Sequence, residues 1–471
     1  MSGDQTDLAA RAERERELLA VLGRRIDRIP VLRRENGGLR APASPTQRHF
    51  HALQQRHPGQ AGFTMSGGLR LTGPLDVIAL DRAVAEVVAR HEALRTVFET
   101  HDGRLFQIVL PEARLPVPVR DVTEQDALGV AKTFSDTPPD LGREGPLRMS
   151  VLRLAELDHI VLFALHHIVG DLRSVEVFFQ ELYVLYRSGL TGAAAETAGL
   201  LAPLTAQLAD VTEWQRGAVS TARKAELETY WRTRMAGVEP LTLPADAVRV
   251  SPPSTTGDTC RLPMADELVA TLNRLAADHG CTIFTLSHAV FALLLARYSG
   301  PNVVVSTPVT SRDRPEVDKL VGANLNYVPL HTHVDDGLTF GAYLNASRDR
   351  TTADLAHDDL PYQDIAALAG LPPIELYRVL FQSGGGGDIE FPEGDLSGTP
   401  WPAPWDHSMN DLTARVTSAA AGWYLYLNFR CDVFTRERMT ALGVEYLDLL
   451  AGAAADPDVL VADLITPKRR S

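Results

Sequence analysis

Two adjacent histidines, His166 and His167, close an apolar run in the stretch "ALHHIVGDLRS", Ala164 to Ser174, and Asp171 stands four residues past the second. An imidazole titrates near neutrality, so one placed beside a cleft can orient an attacking amine or hydroxyl or take its proton. The bland alternative is a hydrogen-bonded pair at the polar end of a buried strand. Other chemistries fit less well. The spacing matches no zinc pattern such as H-E-x-x-H and offers Asp171 no third ligand nearby, so no metal site is expected. No G-x-S-x-G elbow occurs and no cysteine lies near the histidines, which leaves no protein nucleophile. What remains is a lone imidazole acting on a nucleophile that the substrate brings.

The elements around the pair set its geometry. "HIVLFALHH" is a near-continuous apolar run with the length of a central strand, and Val175, Phe178, Phe179, Leu182 and Tyr186 mark one face of the helix that follows. The motif therefore sits at a strand-to-helix turn. Successive strand residues point to opposite faces, so one histidine is expected to face a core and the other a cleft. Upstream, "GGLRLTGPLD" reads as a strand and turn, and Leu80, Ala83, Val84, Val87 and Val88 place an apolar face on a helix ending in "RHEALRTVF". Downstream come two helices, "DELVATLNRLAADHG" and "TIFTLSHAVFALLLARYSG", closed by Gly280 and Gly300, and then the strand "NVVVSTPV".

At 471 residues, with 45% hydrophobic and 23% charged residues, the chain can form two domains of ordinary size. The expected organisation is a helical preamble over residues 1–41, an N-terminal lobe over 42–200 and a C-terminal lobe over 201–471. A Gly/Ala-rich connection separates the lobes between Gly189 and Gln207, and a Gly/Pro/Trp-rich loop near 384–408 crosses between them. A net charge of −14 without a dense basic tract argues against a nucleic-acid partner. Cys260, Cys281 and Cys431 form no redox or zinc pattern, the first residues are charged where a secretion signal is apolar, and no run of about 18 apolar residues occurs. These features predict a cytoplasmic protein without a membrane partner.

Several motifs then fall in a recognisable order. "HHIVGDLRS" resembles the HHxxxDG signature of the condensation domains of nonribosomal peptide synthetases, within the chloramphenicol acetyltransferase-like superfamily. "ASPTQRHF" resembles the opening S-P-x-Q motif, "RHEALRTVF" the second and "YWRTRMAG" the fourth. "LVGANLNYVPLH", with Asn326 and Pro329, resembles G-x-x-V-N-x-x-P-L. "HDDLPYQDI" resembles H-x-D-x-P-F, and "YRVLFQS" is a weak form of the last motif. The resemblance runs from Pro42 to the C-terminus. It implies an α/β (α+β) fold of two chloramphenicol acetyltransferase-like lobes in a V, with a substrate tunnel between them.

The activity it implies is acyl transfer in nonribosomal peptide or hybrid polyketide biosynthesis. Acyl or peptidyl carrier proteins deliver phosphopantetheine-borne substrate, and a carrier-bound or free amine or alcohol attacks the thioester to form an amide or ester; no cofactor is bound. On this resemblance His167 faces the tunnel and acts in catalysis, while His166 supports the turn from the core. Asp171 holds the turn by pairing with an arginine, best Arg312, with Arg90 and Arg95 as local competitors, and Asn326 is a further supporting residue. Leu172, Arg173 and Ser174 are expected along the tunnel. The motif glycine is Leu172 here, followed by Arg173, which points to altered substrate choice. The start "MSGDQTD" and the tail "PKRRS" suggest a free-standing enzyme. A coenzyme A-dependent acyltransferase of the same fold, and a recruitment domain that has lost the chemistry, are the alternatives.

Overall fold

The computed structural model describes residues 28–190, 201–247, 253–312, 314–384, 396–404, 406–419 and 422–466. The helix expected within residues 8–26 lies outside the described residues, as do residues 191–200 of the expected connection. The remainder of the preamble is not helical. Asn36 and Gly37 take left-handed conformations (φ 49° and 79°) that turn the chain tightly between Glu35 and Gly38. The chain then enters strand β1 (Leu39–Pro42), which pairs antiparallel with Phe106–Val109.

The first half continues through β2 (Thr64–Thr72), β3 (Thr96–His101), β4 (Arg104–Val109), β5 (Val119–Asp121), β6 (Leu147–Ala155) and β7 (Asp158–His166). The second half holds β8 (Gly257–Met264), β9 (Asn302–Thr310), β10 (Leu325–His333), β11 (Val379–Ser383), β12 (Ser397–Trp401), β13 (Leu412–Ala419) and β14 (Gly422–Arg430). They form a small sheet β1-β4-β3, a five-stranded sheet β12-β2-β7-β6-β5 and a six-stranded sheet β10-β9-β11-β13-β14-β8.

Helices cover these sheets according to their apolar faces. Helix α1 (Pro45–Arg56) leads into β2. Helix α2 (Val77–Arg90) and helix α4 (Leu172–Leu190) pack on one face of the five-stranded sheet, against Val151, Val161, Phe163 and Leu165. Helix α3 (Glu124–Asp136) lays Ala127 and Ala131 on the other face, against Leu152, Ile160 and Leu162. Strand β7 is thus buried on both sides, which explains its unbroken apolar run. Helices α5 (Asp266–Asp278), α6 (Ile283–Ser299) and α7 (Arg436–Ala455) cover one face of the six-stranded sheet, and α6 is buried nearly all round. Among the described residues no single helix is long and apolar enough to cross a membrane.

The stretch from Gly384 to His407 is not a loop throughout. Its strand β12 joins the N-terminal sheet, with Ser397–Trp401 paired to Gly68–Thr72. Glycine at position 68 permits this, since a Cβ there would lie 2.7 Å from the Trp401 ring. Strand hydrogen bonding, invisible to a composition rich in Gly and Pro, overrides the loop reading.

Candidate active site

The strand ends at His166, and His167 to Val169 form the turn. The His167 amide donates to the Phe63 carbonyl at 2.9 Å, and the Val169 amide to His166 O at 3.1 Å. His166 is fully buried. Its Nδ1 accepts from the Ile168 amide at 3.0 Å and its Nε2 lies 3.2 Å from Gln54 Oε1, an arrangement met by the tautomer protonated on Nε2. Burial, with the neighbouring His167 and His51, pushes its pKa down to about 3, so it stays neutral and structural.

His167 is half-buried, with its ring stacked on Phe50 at 5.3 Å between centroids and 14° between planes. Its Nδ1 is enclosed, with no partner in good hydrogen-bonding geometry. Desolvation lowers its pKa to about 4, opposed by the nearby Gly170 carbonyl and the Asp171 carboxylate. The imidazole at pH 7 is therefore neutral, an acceptor rather than a fixed charge.

Phe50 reaches His167 because of how α1 begins. Ser44 caps the helix, its Oγ accepting from the Gln47 amide at 3.0 Å, while the Ser44 amide donates to Gln47 Oε1 at 2.8 Å, and Pro45 occupies the first turn. The S-P-x-Q motif is thus a capping box, worth about 1 kcal/mol of helix stability. On the other side of Phe50, His49 meets the rings of Tyr362 and Tyr377 at 5.5 and 5.4 Å and Tyr327 at 6.5 Å. Helix α1 therefore ties the histidine turn to an aromatic cluster of the C-terminal half. Sequence reasoning missed Phe50, Gln54 and these tyrosines; only the capping signature of α1 was there to be read.

Asp171 receives Arg312 through two bonds, Nη2 to Oδ1 at 2.8 Å and Nε to Oδ2 at 3.1 Å, with both side chains buried. Arg312 also donates to the carbonyls of Val317, Leu320 and Gly322 at 2.9–3.0 Å. The competitors are engaged elsewhere: Arg90 with Glu181, and Arg95 with Glu92. Asp171 Oδ1 also accepts from the Ser174 amide at 2.8 Å, so the aspartate caps α4.

Leu172 is the first residue of α4, is 47% exposed and does not have a positive φ, so its turn needs no glycine. The close approach falls instead at Gly170, where a Cβ would lie 2.5 Å from Leu165 Cδ2. One expectation needs correction. Ser174 does not line substrate space: it is fully buried, its hydroxyl donating to Asp171 Oδ1 and accepting from the Gly322 amide and Arg312. Arg173, also expected along the tunnel, stays partly exposed and is ion-paired with Glu176 and Asp318 at 3.0 and 3.4 Å.

Asn326 lies on β10, away from the turn. Its Nδ2 donates to the carbonyls of Asp358 and Leu360 at 2.8 and 2.7 Å, and its Oδ1 accepts from the Tyr362 amide at 3.0 Å. It staples the segment that reads "HDDLPYQDI". His91 of the second motif does similar work: Glu181 lies 2.8 Å from its Nε2, and its Nδ1 accepts from the Val321 amide at 3.2 Å. Among the described motif residues, His167 and His49 are both half-buried with one ring nitrogen, Nδ1 and Nε2 respectively, enclosed without a hydrogen-bond partner. Among the described residues no group of three His, Cys, Asp or Glu side chains could hold a metal ion.

Comparison with known proteins matches residues 40–471 to the family model described as the condensation domain. The chain is 33% identical over 350 residues, 72% of its length, to a linear gramicidin synthase of Brevibacillus parabrevis, and spans 7% of that synthase. It spans only 6–7% of each of the first curated synthases it matches. It is also similar to the X-domain from teicoplanin biosynthesis (26% identity, TM-score 0.84, covering 93% of this chain and 99% of that one). A second structure holds that X-domain in complex with OxyB (26% identity, TM-score 0.84, 94% and 99% covered).

Proposed function

The chain belongs to the condensation-domain family, and on that premise we propose that it transfers an acyl group from a carrier-protein thioester to an amine, forming an amide in natural-product biosynthesis. The observation that carries the reading is His167: a half-buried, neutral imidazole stacked on Phe50, at a turn held by Asp171 and Arg312. The acceptor amine attacks the thioester carbonyl, the C–N bond forms as the C–S bond breaks, and the pantetheine thiolate leaves and takes up a proton. No cofactor residing in the protein is needed; the phosphopantetheine arm arrives with the carrier.

The depressed pKa bears on which acceptor is used. A general base works best with a pKa near the operating pH, and a value of about 4 is far below it. His167 is then better suited to accept a hydrogen bond from a neutral amine and orient it than to deprotonate a hydroxyl. Holding the two substrates together supplies the larger effect, roughly 7–11 kcal/mol for well-aligned partners. Amide formation is favoured over ester formation on this ground, and a carrier-borne donor over coenzyme A on the family's.

A second reading, recruitment of a partner enzyme without chemistry, is favoured by the likeness to the teicoplanin X-domain and the complex of that domain with OxyB. Asp171 and Asn326 do not discriminate, since their hydrogen bonds serve the fold and a recruiting domain would keep them. The deciding experiment offers the purified chain an acyl-loaded carrier protein with a panel of amines and alcohols and follows products by mass spectrometry. Amide products that disappear in His167→Ala support acyl transfer. Absence of any product with a folded wild-type protein sinks it in favour of recruitment, and equal rates from acyl-coenzyme A sink the carrier requirement.

A further inference from the structure

The buried or half-buried arginines of this chain mostly meet carboxylates: Arg312 meets Asp171, Arg234 meets Asp354, Arg430 meets Asp411, and Arg34 meets Glu92 and Asp210. Arg415 departs from that habit. It lies on β13, a central strand of the six-stranded sheet, half-buried, and its guanidinium stacks at 4.9 Å on the ring of Tyr426. Arg261 of β8 approaches the same ring from the far side at 5.8 Å and stacks on Tyr424 at 3.7 Å. Among the described residues neither guanidinium meets a carboxylate or a hydrogen-bond acceptor. Two like charges sharing one tyrosine, in a protein of net charge −14, are an arrangement that an anion would complete. Desolvation lowers the pKa of Arg415, as follows for a cation drawn out of water.

Strand register says which way this pair faces. Phe381, Ala414, Leu427 and Cys260 form one row across the sheet and point into the core beneath the helices. The next row, Gln382, Arg415, Tyr426 and Arg261, points to the opposite face. Leu380 shares that opposite face, two residues and about 7 Å along β11 from Gln382. It belongs to the aromatic cluster of Tyr327, Tyr362 and Tyr377 that surrounds His49, and Phe50 beside His49 carries His167. The arginine row is therefore continuous, along one surface, with the packing that borders the histidine turn.

We infer that Arg415, flanked by Gln382 and Tyr426 and supported by Arg261, is a specificity site for a carboxylate carried by a small substrate of this protein. A guanidinium stacked on a ring keeps its in-plane N–H fork free, and that fork matches the two oxygens of a carboxylate. The inference rests on the acyl-transfer reading for the source of the carboxylate, not for the existence of the site.

The test is binding of glutarate against its neutral analogue glutaramide, by calorimetry or ligand-observed NMR, in the wild type, Arg415→Gln and Arg261→Gln. Glutarate should bind the wild type in preference to glutaramide, and Arg415→Gln should weaken it at least about tenfold, as loss of a charge-assisted pair does, with a smaller loss in Arg261→Gln. As a second measurement on the wild type, glutarate should slow phenylglyoxal modification of Arg415, mapped by peptide mass spectrometry, which decides the matter even if Arg415→Gln fails to fold. The inference is overturned if glutarate and glutaramide are indistinguishable, if Arg415→Gln binds glutarate unchanged, if protection falls on other arginines, or if phosphopantetheine binds here and glutarate does not. A protein that binds glutarate through Arg415 but transfers no acyl group leaves this site standing and removes the acyl-transfer reading. One that transfers neutral substrates and ignores glutarate does the reverse.

Discussion

His167 and Asp171 sit four residues apart and do different work, which substitution should separate. Replacing His167 with Ala removes a half-buried ring stacked on Phe50 and leaves the turn's hydrogen bonds in place, so the protein should stay folded. Amide formation should fall by about 10²-fold, the lower end of what a positioned acid or base contributes, because a base of pKa about 4 orients more than it deprotonates. The wild-type rate should climb with pH as the amine acceptor loses its proton, with no inflection near 6.5 and a limb from His167 only near pH 4, below which the ring is charged and cannot accept. A pH profile of single-turnover rates that bends near 6.5 would contradict this. Asp171→Ala instead strands Arg312, itself only 7% exposed, and such a loss costs about 3–5 kcal/mol, read as a shift in chemical unfolding. Leu172→Gly should cost no more than about 1 kcal/mol, the helix-propensity difference, since an exposed leucine at the first helical position fills no core gap.

At the scale of elements, two junctions hold the site. Helix α1 is started by the Ser44–Gln47 capping box and delivers Phe50 to His167. Strand β12 crosses from the second half of the chain to hydrogen-bond β2 beside Gly68. Gly68→Val places a branched side chain where the Trp401 ring lies, so β12 should detach while β2 and β7 remain paired. Hydrogen exchange should then speed up at 397–401 with little change at 158–166; unchanged exchange at 397–401 would mean that Trp401 moves aside and the strand holds without the glycine.

Across the whole molecule, the buried neutral histidines couple stability to pH. His166 and His288 are at most 1% exposed, and burial holds them at about 3 and about 4; both ring nitrogens of His288 lack partners between Phe284 and Phe381. The unfolded chain takes up these protons near 6.5 and the folded one does not, so the stability they confer is complete above about pH 6.5 and is lost as pH falls toward 4. At pH 5 the loss is on the order of 2 kcal/mol for each group. His288→Leu should flatten the acid side of the stability profile measured between pH 7 and 5; an unchanged slope would show that His288 finds a proton acceptor when charged.

The order of motifs along the chain was enough to identify the family and the α/β class, because each motif keeps local signals: an apolar central strand ending in His166, a helix beginning at Asp171, a capping box at Ser44. The pairing of Asp171 with Arg312 was anticipated from the resemblance rather than from spacing, for 141 residues separate them. What only the tertiary structure decided depends on contacts between distant segments and on depth. Ser174 and Arg173 look alike in sequence as polar residues beside a catalytic motif. One is buried in the Asp171–Arg312–Gly322 network and the other is neutralised by Asp318 of the opposite half. Arg415, which meets no carboxylate among the described residues, is just as silent in one dimension. Its solitude appears only when strand register places Tyr426 and Arg261, and no carboxylate among the described residues, beside it, because burial and charge pairing are properties of neighbours that the linear chain does not yet have.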